Sequence, residues 1–211
     1  NTFNNWSNLG YFHIFVFMIK VGITGQMGSG KSYISSLFGD LGVPIYNSDE
    51  RARWINNNNI SLKNEIISEF GDVYTDGIMD KYKMRNIVFV DGGEEKLKRI
   101  NSIVIPYVFR DFLEFCDINS NKPMILGESA ILFESKMDKY VDKVIYVDVP
   151  YEIRLERTIR RDNITKSEYD NRMKSQIGTE EKIKLSDYVI DNSIIDSKVD
   201  IVKNIYNNLV N

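Results

Sequence analysis

The residues Gly25-Gln26-Met27-Gly28-Ser29-Gly30-Lys31-Ser32 constrain this chain more than any others, because they satisfy the pattern G-x-x-x-x-G-K-[ST]. The segment before them, Ile19 to Ile23, is an apolar run suited to a buried strand. The segment after them carries Ile34, Leu37, Phe38 and Leu41 at helical spacing, with Gly42 and Pro44 to end it. Strand, glycine-rich turn and amphipathic helix in that order predict a phosphate-binding loop. Its glycines let backbone N–H groups curl around a triphosphate, and the helix directs its positive end at the same place. Lys31 then neutralises β- and γ-oxygens, and Ser32 holds magnesium. The predicted ATP site comprises Gly25, Gln26, Met27, Gly28, Ser29, Gly30, Lys31, Ser32 and Tyr33. The alternative is a turn that merely joins strand to helix. A lysine at a helix N-terminus opposes the helix dipole by a few tenths of a kcal/mol up to about 1, and a bound anion accounts for its placement.

The remainder of the chain fits one α/β domain: 211 residues with 43% apolar content allow a sizeable core and small insertions. A second strand, Val43 to Tyr46, delivers Asn47-Ser48-Asp49 to the sheet edge. Near-continuous apolar runs at Met124 to Leu126, Val144 to Val149 and Tyr188 to Ile190 read as parallel strands covered on both faces. Strands alternating with helical stretches imply a doubly wound parallel sheet whose ligands bind at the carboxyl edge of the strands. Between about Ser61 and Ser120 the pattern is helical. Leu62, Ile66, Ile67 and Phe70 make one stripe, and Leu97, Ile100, Val104, Tyr107 and Val108 make another in a helix that Pro106 is expected to kink or break. Turn residues at Gly71 to Gly77 and at Asp91-Gly92-Gly93 separate these helices, and the polar run Asn56 to Asn59 reads as a loop.

Composition narrows the chemistry. Basic and acidic residues, 27 and 30, are mixed along the chain, so no basic footprint for nucleic acid appears. One cysteine, Cys116, and one histidine, His13, leave no disulfide and too few soft ligands for structural zinc; a reducing, cytoplasmic setting is expected. Any general base must then be a carboxylate or a lysine. The apolar stretch Tyr11 to Ile23 is interrupted by Lys20 and shorter than the roughly 20 residues a membrane helix requires, so no membrane partner is expected. Residues 1–17 read as an extension without a signal peptide's features.

Several side chains are candidates for chemistry. Asp49 follows the second strand, which is expected to neighbour the first, so its carboxylate can accept a proton from an acceptor hydroxyl; the other reading is that Ser48 or Asp49 caps the next helix. Beyond Pro150, Arg154, Arg157 and Arg161 share one helical face that can close over ATP and stabilise transferring charge, or pair with Glu152 and Glu156 on a solvated face. Glu128 ends a buried strand and either holds a magnesium-bound water or caps a helix. The aromatic residues Trp54, Phe109, Phe112 and Phe115 read as packing.

Further blocks stand in a fixed order: Asp40-Leu41-Gly42, then Asp49 with Ala52-Arg53, Phe70-Gly71, Phe89 and Ile131-Leu132-Phe133-Glu134. Val147-Asp148-Val149, Arg157-Thr158, Arg161-Asp162, Gln176 and Val189-Ile190-Asp191-Asn192 follow. With the phosphate-binding loop, this set resembles the dephospho-coenzyme A kinases over Met18 to Asn192. The resemblance implies a P-loop, nucleoside-monophosphate-kinase-like core (residues 18–60, 122–150 and 186–211), a helical region that grips coenzyme A (61–121) and a mobile lid (151–185). It implies that Asp49 is the base for the ribose 3′-hydroxyl, that Lys31, Arg157 and Arg161 serve the transfer, and that Arg53 and Lys81 join Asp49 in binding the acceptor. ATP and dephospho-coenzyme A are the expected partners, magnesium the expected cofactor, and a monomer is expected rather than an oligomer. The chain departs from the family pattern at Asn47 (usually an acid), Ile105 (usually histidine), Ala130 (usually proline) and Thr179 (usually arginine).

Two other readings use the same loop. One is phosphorylation of a different alcohol, such as a nucleoside, a nucleoside monophosphate or a sugar. The other is a nucleotide-dependent switch, for which the chain lacks an Asn-Lys-x-Asp element and would leave Asp49 without a task.

Overall fold

The computed structural model describes residues 18–89, 93–194 and 197–211, so the N-terminal extension and the Asp91-Gly92 turn lie outside it. Five strands form the main sheet: β1 (Ile19–Thr24), β2 (Ile45–Asn47), β5 (Met124–Glu128), β6 (Lys143–Asp148) and β7 (Tyr188–Asp191). Their order is β2-β5-β1-β6-β7 and every pairing is parallel. Alternate residues of the strands feed two cores. Val21, Ile23, Leu126, Ile145 and Val147 pack with Ile34 and Phe38 of α1 (Lys31–Asp40) and with Val202 and Ile205 of α9 (Val199–Val210). Tyr46, Ile125 and Val144 face the other core, with Leu132 and the insertion helices. This two-sided burial is why the strands read as continuous apolar runs.

The sheet order corrects one expectation. β2 is not the neighbour of β1; β5 lies between them, paired with both. All five residues of β5 are buried, whereas β2 is three residues long with only Tyr46 buried, so the longer apolar strand takes the interior position.

Between β2 and β5 run α2 (Ser48–Asn58), α3 (Ile60–Phe70), a small hairpin of β3 (Tyr74–Thr75) and β4 (Ile78–Met79), α4 (Lys81–Phe89) and α5 (Gly93–Ile118). Three differences from the sequence reading arise here. The Asn56 to Asn58 stretch is helical, the Asn58 amide donating back to Trp54 O, and only Asn59 breaks the helix, its side chain capping α3 at Leu62 N. Helix α5 runs through Pro106 without a break, because Ile100, Ile103, Val108, Phe112 and Cys116 bury one face on both sides of it. Trp54 is half exposed, with the Arg51 guanidinium stacked 4.6 Å from its ring, while Phe112 is fully buried. Tyr46 anchors β2 to α5: its hydroxyl meets Val108 O and the Asp111 carboxylate, which in turn holds Arg51.

After β6 come α6 (Tyr151–Asp162), α7 (Lys166–Met173) and α8 (Thr179–Lys184). Asn163 turns the chain out of α6 in a left-handed conformation, and Thr165 with Glu168 forms a capping box that starts α7. Glu168 also pairs with Arg85 of α4, tying these helices to the insertion. No described helix is long and apolar enough to cross a membrane.

Candidate active site

The loop between β1 and α1 takes its shape from two left-handed glycines, Gly28 at φ 86° and Gly30 at φ 84°. Side chains there are barred twice, by backbone conformation and by crowding. A Cβ on Gly28 would stand 2.5 Å from Arg154 O and Thr158 Oγ1, and one on Gly30 would stand 2.4 Å from the Asn192 amide nitrogen. Asn192, just beyond the carboxyl end of β7, donates that amide to Ser29 O at 2.8 Å and accepts both Arg157 terminal nitrogens on its own carbonyl. Its position is the place where an open α/β sheet meets its ligands.

Lys31, half-buried at the start of α1, donates its ammonium to Gly25 O at 2.9 Å and Gln26 O at 3.4 Å. Burial pushes this ammonium down to about 8; the Asp49 carboxylate and then Glu128 pull it back up, and the Lys182 and Arg161 cations add to the lowering. The anion that matters most to Lys31 is thus Asp49, although a strand separates β2 from β1. Asp49 reaches the loop because β2 and β1 both end at the same carboxyl edge of the sheet.

Asp49 is exposed, and among the described residues its carboxylate takes no hydrogen bond or ion pair. Asn47 caps α2, accepting from Asp49 N and Glu50 N at 3.1 Å, so neither Ser48 nor Asp49 serves as the cap. An Asn at position 47 caps as well as an acid there would. Arg53, one turn on, is exposed and donates to Asp49 O; Lys81 is exposed at the start of α4; and the Tyr33 side chain is 44% exposed beside the loop. On the other side of Lys31, the Ser32 hydroxyl donates to Glu128 at 2.7 Å, with Glu128 buried at the end of β5. Glu128 therefore serves the loop and is not a helix cap.

The arginine face divides. Arg154 is buried and structural: it donates to Val149 O and to the Tyr169 hydroxyl, and Tyr169 in turn donates to Met27 O, so α6 and α7 are fastened to the loop. Arg157 reaches the loop through Asn192, and Arg161 pairs with Asp162 rather than with Glu152 or Glu156. Lys182, Glu134 and Asn192 received no role from the sequence. Asn192 was legible from its place after a strand, but nothing in the polar run Thr179 to Lys184 signalled that Lys182 is fully buried.

A parallel sheet carrying such a loop, with the exposed Asp49 carboxylate within electrostatic reach of its lysine, defines a P-loop kinase of small molecules. The family model for dephospho-CoA kinase matches residues 19–197, and the chain belongs to that family. It is 37% identical over 175 residues to the dephospho-CoA kinase of Fusobacterium nucleatum, covering 82% of this chain and 89% of that one. It is 32% identical over 195 residues to that of Aquifex aeolicus, covering 91% and 98%. Among solved structures, the dephospho-CoA kinase from Campylobacter jejuni is 25% identical with a TM-score of 0.64, over 90% of this chain and 96% of that one. Shikimate kinase from Acinetobacter baumannii, at 16% identity and a TM-score of 0.53 over 92% and 94% of the two chains, shares the fold.

The position of the Lys31 titration has a measurable consequence. A bound triphosphate favours the charged lysine, so ATP binding at about pH 9, where free Lys31 has largely lost its proton, is expected to take up a proton per site. Near pH 7 that uptake largely disappears, and affinity falls as pH rises through about 8. Titration calorimetry in buffers of different ionisation enthalpy measures it directly; uptake that is the same at both pH values would contradict the assignment.

Proposed function

We propose that this protein transfers the γ-phosphoryl group of ATP to the ribose 3′-hydroxyl of dephospho-coenzyme A, giving coenzyme A and ADP, the last step of coenzyme A synthesis. The observation that carries the reading is an exposed carboxylate, Asp49, that has no hydrogen-bond or ion-pair partner among the described residues yet lies within electrostatic reach of the loop lysine at the carboxyl edge of the sheet. The triphosphate lies in the loop from Gly25 to Tyr33, where Lys31 neutralises its β- and γ-oxygens. The hydroxyl oxygen attacks the γ-phosphorus, the bond to the β–γ bridging oxygen breaks, and the hydroxyl proton passes to Asp49. Arg157 and Arg161, on lid residues 151–185, stabilise the transferring charge, Arg161 exchanging Asp162 for phosphate oxygens. Arg53 and Lys81 bind the acceptor with Asp49, and residues 61–121 enclose its coenzyme portion. Water excluded by the lid limits wasteful hydrolysis of ATP.

The Ser32 hydroxyl backed by Glu128 is an oxygen donor set that fits magnesium, an ion that takes one or two protein oxygens and completes its shell with phosphates and water. Bound there, the ion neutralises charge on the phosphate oxygens. The reaction runs in the cytoplasm and takes one chain per site.

Incubation with ATP, magnesium and an equimolar panel of dephospho-coenzyme A, common nucleosides and pantetheine-type alcohols tests the reading. Mass spectrometry is expected to find one added phosphate on dephospho-coenzyme A alone, with an equal amount of ADP. An untouched dephospho-coenzyme A beside another phosphorylated alcohol would refute it.

A further inference from the structure

Lys182 of α8 is completely buried, and its ammonium meets two groups: Ala130 O at 2.9 Å and Glu134 Oε1 at 3.0 Å. Glu134 is itself mostly buried, and its second oxygen has no hydrogen-bond partner among the described residues. A buried ammonium is unfavourable unless paired and hydrogen-bonded, and Lys182 is held by both an ion pair and a carbonyl. The same Glu134 oxygen accepts Ile177 N at 2.9 Å, and Ile177 O accepts the side-chain amide of Gln26 at 2.9 Å. Gln26 belongs to the phosphate-binding loop: its own carbonyl accepts Ser29 N and the Lys31 ammonium. Ala130, the other end of the chain of bonds, is two residues beyond Glu128, the partner of Ser32. Ile177 is where the chain returns from α7 to the core before α8 begins. The Lys182 cation is also within electrostatic reach of Lys31.

We infer that Lys182 and Glu134 are a positioning pair, clamping the return of the lid at Ile177 onto Gln26 and so fixing the loop geometry that receives ATP. Neither residue touches the nucleotide. The inference rests on the proposed function only in taking the loop as the ATP site.

The test compares ATP affinity and thermal midpoint for wild type, Lys182→Met, Lys182→Arg, Gln26→Ala and the Lys182→Met/Gln26→Ala double variant. Val202→Ala, a buried change in α9, serves as control. Lys182→Met is expected to weaken ATP about tenfold or more, in keeping with the sensitivity of phosphate sites to small misplacements, and the arginine to stay close to wild type. If both changes act through one chain of bonds, the double variant is no worse than the weaker single one. Val202→Ala lowers the thermal midpoint and leaves ATP affinity intact. Should Lys182→Met not fold, Lys182→Met/Glu134→Gln, which leaves no unpaired buried charge, replaces it with the same weakening expected. Wild-type ATP affinity in the lysine variant, or additive losses in the double one, would overturn the inference. Wild-type protein that binds ATP yet leaves dephospho-coenzyme A unphosphorylated would sink the acceptor assignment and leave the pair to be judged on ATP affinity.

Discussion

Asp49→Asn is expected to leave ATP affinity almost unchanged and to lower turnover at least about a hundredfold, the scale that a positioned general base supplies. The substitution preserves size and a hydrogen-bond acceptor while removing the ability to take a proton. It spares the fold, because Asn47 and not Asp49 caps α2, and the Asp49 carboxylate is exposed without a partner that unfolding would release. Loss of its negative charge also removes the largest attraction supporting the Lys31 ammonium and lowers that group further, so the comparison belongs well below the value of about 8 that holds with Asp49 in place. Single-turnover rates with dephospho-coenzyme A and ATP affinity measured separately make the distinction. Wild-type turnover would remove Asp49 from the base role.

Lys31→Ala is expected to reduce kcat/KM by roughly 3 kcal/mol, on the order of a hundredfold or somewhat more, as the loss of one preorganised charge contact to the transferring group does. Stability is expected to change little. Burial is the main force lowering the Lys31 ammonium, so holding that cation in place is itself unfavourable, and its removal offsets the loss of the bonds to Gly25 O and Gln26 O. A thermal midpoint near the wild-type value together with the kinetic loss would locate the effect in the site. Unchanged kcat/KM would end the assignment of residues 25–32 as the ATP loop.

Much of the site was legible because it is local. The loop is one contiguous stretch whose glycines, lysine and serine must follow one another at fixed spacing, and Gly28 and Gly30 adopt the left-handed conformations that the pattern implies. Asp49 is legible as the acid following a strand, but its place near the loop does not come from adjacent strands. Sequential strands are usually neighbours, but the fully buried β5, arriving after the whole helical insertion, displaces β2 to the edge. The arginine face shows the same limit: spacing places Arg154, Arg157 and Arg161 on one side of α6, but only packing turns Arg154 inward onto Val149 and Tyr169.

The sequence by itself determined the parallel α/β class, the phosphate-binding loop and the family, since strand burial, helical periodicity and backbone conformation depend on near neighbours in the chain. Only the tertiary structure decided the strand order, the inward turn of Arg154, the hold of Asn192 on the loop and the burial of Lys182 against Glu134. Each of these joins residues far apart in sequence, and their placement follows from which apolar surfaces bury one another, a competition that no short window of residues contains.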